Sequence, residues 1–151
     1  MKPIQFLSRL APAFLLSTGL TVSLEVLGPS RASGQMYNPR SLDAEEIKDT
    51  LSADDIPTGV GGFARDYTVN LESGDQITID AVSEEFDTLV TLMDGNGIVV
   101  NENDDGPDGS TNSLLFARIS ESGKYIIRVR SYAGGGEGQF SLKLTRLRPV
   151  Q

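Results

Sequence analysis

The chain has 151 residues, with 13 Lys and Arg against 21 Asp and Glu for a formal net charge of −8, and it contains no His, Cys or Trp. That length allows one domain with a tail rather than two. The acidic balance argues against a nucleic-acid binder, which needs a clustered positive surface. The missing residue types exclude Ser-His-Asp and Cys-His nucleophiles, His- or Cys-ligated zinc, disulfides and thiolate redox chemistry. Carboxylate chemistry, hard-cation binding and plain recognition remain.

Lys2 and Arg9 bracket a short positive start, and the segment Leu10 to Leu24 then runs without a charge until Glu25. Its length falls short of the roughly 20 residues a membrane-spanning helix needs and suits the apolar core of a secretory signal. Ser30-Arg31-Ala32 sets small residues at the two positions a signal peptidase inspects, so cleavage is expected after Ala32. An uncleaved anchor is the alternative. No Cys follows the apolar run, which excludes a lipid-anchored lipoprotein. Residues 1–32 are therefore read as the signal peptide of an exported protein, periplasmic or extracellular, with no membrane span after cleavage. The mature chain keeps 10 basic and 20 acidic side chains, a net charge of −10.

Residues 33–60 read as a polar lead-in. Ser41 followed by Asp43-Ala44-Glu45-Glu46-Ile47 has the form of a capped helix start with acids in its first turn. Leu42, Ile47 and Leu51 supply only a thin apolar stripe, so the helix would be short. Ile56-Pro57-Thr58-Gly59-Val60-Gly61-Gly62 then breaks it.

Residues 61–148 form the expected folded body, a series of short alternating runs separated by turn residues. Tyr67, Val69 and Leu71 lead to the turn Ser73-Gly74-Asp75, and Ile77, Ile79 and Ala81 follow. Phe86 to Met93 has apolar residues at both parities, as expected of a central strand covered on both faces. Asp94-Gly95-Asn96-Gly97 is a hairpin signal, with Ile98 to Val100 starting the return strand. After a polar loop come Leu115, Ala117 and Ile119, then Tyr125, Ile127 and Val129. Past Gly134-Gly135-Gly136-Glu137-Gly138, the last strand carries Phe140, Leu142 and Leu144. About seven strands in this space predict an all-β sandwich or barrel.

Of the 20 mature acids, 18 lie between Asp43 and Asp108, while 7 of the 10 basic residues lie from Arg118 onward. Arg128, Arg130 and Lys143 sit at outward parity. They are read as one half of cross-strand ion pairs, with a cationic binding face as the alternative. The conspicuous polar cluster is Asn101-Glu102-Asn103-Asp104-Asp105-Gly106-Pro107-Asp108 with Asn112, and Glu84-Glu85-Phe86-Asp87 could approach it in a sandwich. Hard oxygen donors in a flexible loop suit Ca²⁺. The EF-hand register is absent, and Asp or Asn side chains bonding loop amides account for the same residues. Both readings stay open. A glycoside hydrolase working through paired carboxylates is disfavoured, because such clefts have aromatic walls and this chain has 4 Tyr and 6 Phe, several needed for the core.

Taken in order, Tyr67 to Ile79, Phe86-Asp87-Thr88 with Leu89 to Asp94, Gly97, Glu102-Asn103-Asp104-Asp105, Asn112-Ser113, Ser122 to Val129 and Gly138-Gln139-Phe140-Ser141-Leu142 resemble the bacterial pre-peptidase C-terminal domain family over about residues 63–147. Phe140 stands where the family's last strand usually has Tyr. The resemblance implies an antiparallel β-sandwich of jelly-roll type that serves secreted enzymes as an accessory module. Relatives in bacterial collagenases bind collagen and calcium. Only Asp87, Asp104 and Asp105 lie in matching motifs, so they are the metal-site candidates carried over; no organic cofactor is implied. No peptidase precedes the module, so it reads as a free-standing copy. The expected function is a non-catalytic binding module at the cell envelope with a protein or polysaccharide partner. The alternatives are a structural or chaperone-like module for a separately encoded protease and, less favoured, the hydrolase.

Overall fold

A computed structural model describes residues 37–147. The expected signal peptide, its cleavage point and the first residues of the lead-in lie outside the described residues. Among the described residues there are ten strands: β1 (Arg40–Ser41), β2 (Glu46–Leu51), β3 (Ile56–Pro57), β4 (Phe63–Leu71), β5 (Gln76–Val82), β6 (Thr88–Asp94), β7 (Val99–Asn103), β8 (Ser113–Arg118), β9 (Gly123–Ser131) and β10 (Gly138–Leu147). Among the described residues there is no helix, and so none long and apolar enough to cross a membrane.

The strands form two sheets, one in the order β1-β4-β9-β6-β7 with β3 also on β4, the other β2-β10-β5-β8. This is the expected β-sandwich, and the seven strands read in the sequence are β4 to β10. Only β3–β4 and β6–β7 are consecutive strands that pair directly; every other connection crosses from one sheet to the other. The turn signals at Ser73-Gly74-Asp75 and Glu121-Ser122-Gly123 are therefore corners between sheets. They meet each other where Ser73 N–H donates to Ser122 Oγ at 2.8 Å, and just before the second corner Ile119 accepts from Gly74 N–H and donates to Asp75 O, both at 2.8 Å.

Alternation decides what is inside. In β9 Tyr125, Ile127, Val129 and Ser131 are buried while Ile126, Arg128 and Arg130 are half-buried; in β10 Phe140, Leu142 and Leu144 are buried. These side chains interdigitate with Tyr67, Leu71, Ile77, Ile79, Val90, Leu92 and Leu115 in one core. At roughly 2 kcal/mol for each fully buried large aliphatic side chain, that core is the main favourable term. Phe140 packs edge-on against Tyr67 and Phe86, with centroids 6.4 and 6.1 Å away. The replacement of Tyr by Phe is thus accommodated inside an aromatic cluster. Thr88 to Met93 are all buried, as expected for a strand between two neighbours and covered on both faces.

The lead-in differs from its expected form. The helix predicted from Ser41 is absent; Ser41 Oγ bonds Asp43 Oδ1 at 2.5 Å, and β2 then pairs antiparallel with β10 from Glu46↔Lys143 to Leu51↔Gly138. β1 runs parallel to β4, with Arg40 opposite Tyr67. The stretch before residue 60 therefore contributes strands to both sheets. Ile47, Asp49 and Leu51 share one face of β2. The charged residue in the middle of that row broke the apolar alternation and left a spacing of four that mimics a helix stripe.

Candidate functional site

The loop between β7 and β8 is seated by a buried polar knot. Thr88, fully buried, donates from Oγ1 to Ala81 O (3.1 Å), shares a hydrogen bond with Ser113 Oγ (2.8 Å) and accepts from Ser113 N–H (2.8 Å). Its own N–H donates to Thr111 O at 2.9 Å. Asn112 Oδ1 accepts from Ser83 N–H at 3.0 Å, and Ser83 Oγ donates to Gln139 O at 2.8 Å. Small hydroxyls and amides placed this way satisfy buried backbone groups that the sheet crossings leave without ladder partners. Thr88 and Ser113 were not singled out from the sequence as a pair; their only signal was position within the Phe86-Asp87-Thr88 and Asn112-Ser113 motifs.

The knot fixes Asp87. Its carbonyl accepts from Tyr132 N–H at 2.9 Å, and the next residue is tied to Thr111. The residue is half-buried, but Oδ1 is cut off from solvent and has no hydrogen-bond partner among the described residues. Burial, then the charges of Asp105 and Asp104, push its carboxyl above the usual carboxylate range. The structure thus brings the three candidates Asp87, Asp104 and Asp105 within electrostatic reach of one another. It does not draw them into a cage: among the described residues no three acidic side chains stand close enough to hold a metal ion. The donors are all oxygens, which suits a hard cation.

The remaining polar residues of the cluster are occupied locally. Asp108 Oδ1 accepts from Ser110 Oγ (2.8 Å) and Ser110 N–H (3.1 Å), which hold its carboxyl below the usual range. Asp94 accepts from Ile98 N–H (2.9 Å) and Asn96 N–H (2.8 Å) in the hairpin, with Gly97 at a φ of 83°, the conformation glycine tolerates best. The hairpin chemistry expected of Asp94, Asn96 and Gly97 is what they perform.

Asn101 and Asn103 have a role that sequence reasoning missed. Asn101 Nδ2 donates to Phe116 O and Asn103 Nδ2 to Leu114 O, both at 2.8 Å, while their Oδ1 atoms accept from the N–H groups of Glu102 (2.9 Å) and Asp104 (3.0 Å). Each side-chain amide stands between an N–H at the β7 edge and a carbonyl at the β8 edge. Two edge strands of different sheets are closed in this way, which removes a site of edge-to-edge pairing. Asparagines at i and i+2 on a strand next to a polar loop were the available signal.

The outward basic residues meet acids. Arg128 grips Asp66 from Nε (2.7 Å) and Nη2 (2.8 Å), with Tyr37 Oη adding a third bond at 2.8 Å. The bond to Asp66 holds the Arg128 guanidinium firmly protonated, while burial and then its own hydrogen bond to Asp66 push the Tyr37 hydroxyl up to about 12. Arg130 lies 4.0 Å from Glu102, and Lys143 faces Asp80 across β10 and β5. A further centre joins the sheets: Asp49 of β2 accepts from Arg40 (2.5 Å), Arg65 (2.5 Å) and Tyr67 Oη (2.7 Å), and Arg65 also binds Asp55 at 2.7 Å. Burial works against the Asp49 charge, but the bonds from Tyr67, Arg65 and Thr50 N–H outweigh it and hold the carboxyl below the usual range.

Comparison with known proteins agrees with this architecture. The family model of the bacterial pre-peptidase C-terminal domain matches residues 64–131, from the start of β4 to the end of β9, so the resemblance read in the sequence is borne out there. The chain is similar in structure to the pre-peptidase C-terminal domain of a Bacillus anthracis collagenase, with a TM-score of 0.52 and 19% identity over 72% of this chain and 93% of that one. At that identity the likeness is one of fold. A second similarity is to PliG of Aeromonas hydrophila, a periplasmic inhibitor of g-type lysozyme, with a TM-score of 0.49 and 17% identity over 68% of this chain and 84% of that one. No curated protein sequence matches the chain.

Proposed function

We propose that this protein is an exported, non-catalytic β-sandwich module that binds a protein or polysaccharide partner at the cell envelope, with Ca²⁺ ordering the loop after β7. The observation that carries the reading is the family match across β4 to β9, in a sandwich with no His or Cys to act as base, nucleophile or zinc ligand. Asp49, Asp66, Thr88, Asn101 and Asn103 are committed to holding the sheets together. Recognition then falls to exposed side chains. Purified mature protein incubated with envelope fractions should enrich one defined component. Folded protein that retains nothing over a blank resin, or that turns over glycan substrates in an Asp104-dependent way, would overturn the proposal.

For calcium, the support is the orphaned Asp87 Oδ1 in the field of Asp104 and Asp105. A cation that draws the three together would remove both the repulsion and the unmet acceptor. Because a ligand specific for the folded state stabilises it by mass action, the melting midpoint should rise from EGTA to millimolar CaCl₂. The rise should vanish in Asp87→Asn. Equal midpoints in the two buffers would dismiss the metal and leave the binding module standing.

A further inference from the structure

The sandwich has two lateral sides, and they end differently. On one, β7 and β8 lie together and Asn101 and Asn103 close their edges. On the other, β4 lies over β2, joined through Asp49 to Tyr67 Oη (2.7 Å) and to Arg65. Between these sides the four strands β4-β9-β6-β7 match the four strands β2-β10-β5-β8. β1 and β3 pair with the outer edge of β4, so they stand past β2 with no strand beneath them among the described residues. Two inward positions there agree. Arg40, opposite Tyr67, reaches Asp49 yet has a side chain 59% exposed, and Pro57, opposite Phe63, is exposed as well. The edge of β2 is open beside this overhang. Leu144 N–H donates to Glu45 O at 2.8 Å, which fixes the alternation of the antiparallel ladder: Ile47, Asp49 and Leu51 turn their backbone groups to β10, while Glu46, Lys48 and Thr50 turn theirs outward. The Thr50 N–H is taken by Asp49 Oδ1 at 2.8 Å; the N–H and C=O of Glu46 and of Lys48 have no partner among the described residues.

We infer that the open edge of β2 is a docking surface of this module, and that its occupant is an extended segment of a partner protein, added antiparallel as a further strand of the smaller sheet. The inference rests on the reading of the chain as a binding module and names how the partner is held. The vacancy is one strand wide. A second copy set edge to edge would bring its own β4 to the place where β1 and β3 already stand, and a polysaccharide has no ladder of N–H and C=O groups to offer. Side chains then choose among extended segments. Glu46 and Lys48 are exposed on the outer face and form no ion pair among the described residues. Charges at the edge discourage indiscriminate pairing and reward a complement: Asp or Glu opposite Lys48 and, two residues later, Lys or Arg opposite Glu46. The residue between them points inward beside the half-buried Ile47, where an apolar side chain gains by leaving water. The partner motif is thus acid, apolar, base, in that order along its chain.

The test titrates the isotope-labelled mature protein with a short peptide centred on Glu-Ile-Lys and follows the backbone amide resonances. The amides of Glu46 and Lys48 should move, and those of Ile47 and Leu51, which face β10, should move less. A peptide of the same composition centred on Lys-Ile-Glu sets like charges opposite each other and should bind about fivefold more weakly. Exchanging the charges in the protein, Glu46→Lys with Lys48→Glu, should reverse that preference. Lys48→Pro should abolish binding of both peptides while the protein stays folded, because the N–H it removes faces away from β10. If that variant does not reach the wild-type melting midpoint, the Glu-Ile-Lys peptide N-methylated at its Glu and Lys takes its place, since it loses the ladder while the protein is unchanged. Amides of Glu46 and Lys48 that do not move, equal binding of the two peptides, or a preference that the exchange does not reverse overturns the inference. So does binding that survives Lys48→Pro or N-methylation, or a dimer in sedimentation that Lys48→Pro dissolves. An envelope component captured equally by wild type and Lys48→Pro would sink the edge while leaving the module reading intact.

Discussion

The two flanks of the sandwich treat charge in opposite ways. Along β4 and β9 and across to β2, every carboxylate that enters the interior meets a guanidinium: Asp66 with Arg128, Asp49 with Arg65 and Arg40, Asp55 with Arg65. Along β6, β7 and the following loop, no ion pair holds Asp87, Asp104 or Asp105 among the described residues, and neutral side chains do the joining. The first flank is held by long cationic residues that the chain supplies only before residue 66 and after residue 117. The second must close without them, and uses Asn101, Asn103, Thr88, Ser113 and Asn112 instead. The charges of the first flank are matched internally, whereas the second keeps Asp87 in the field of Asp105 and Asp104.

The largest effect expected from this contrast is at Arg128. Replacing it by Met leaves the Asp66 carboxylate, whose side chain is fully buried, with only Tyr37 as donor. An uncompensated buried charge costs about 3 kcal/mol, which in a domain of this size lowers the melting midpoint by roughly 10–20 °C. Adding Asp66→Leu should restore most of the loss, since the pair as a whole gains little over an apolar replacement. A single variant as stable as wild type in urea would erase the distinction between the flanks.

On the other flank the asparagine bridge should matter less. Asn103→Ala removes donors to Leu114 O and Asp105 O (2.8 and 2.7 Å) and the acceptor for Asp104 N–H. The seam borders solvent, so water replaces part of what is lost, and the cost should be about 1–2 kcal/mol. Hydrogen exchange would sharpen the result: the amide of Asp104 should exchange faster in the variant, while that of Ile127 in the centre of β9 should not change beyond the global effect.

The difference between the flanks also decides what could be read in advance. The order of β4 to β10 and the inward residues were legible because apolar alternation survives there, as in Tyr125-Ile127-Val129. β2 was misread because its inward middle position is Asp49, whose partners Arg65 and Tyr67 come from β4, and no local pattern announces a partner that far away in sequence. At the candidate site the approach of Asp87 to Asp104 and Asp105 was legible from the sandwich expectation. The use of Asn101 and Asn103 as edge clasps was not, because asparagine beside acids gives the same sequence pattern for a turn, a cation ligand or a bridge. Which one forms depends on the strand that the other sheet brings alongside.

The smallest expected effect has the opposite sign. Asp87 is held above the usual carboxylate range by burial and by Asp105 and Asp104, so its charged form destabilises the folded state at neutral pH. Asp87→Asn in EGTA should therefore stabilise the fold by ~0.5 kcal/mol or less after solvent screening, and so raise the melting midpoint. The sign fixes the pH dependence. As pH falls through the raised pKa of the folded state, wild-type Asp87 takes up a proton and the gap between variant and wild type closes. Asp49, held low by Tyr67 and Arg65, behaves in reverse: its stabilisation is complete above the unfolded value of about 4 and is lost only as pH falls through its lower folded value. Melting curves from pH 7 to pH 3 should show the Asp87→Asn advantage disappearing first and the general loss of stability following at lower pH. An advantage that persists to pH 3, or a variant less stable than wild type at pH 7 in EGTA, would mean that Asp87 is held by an attractive partner and that the two flanks do not differ in the way their charges are met.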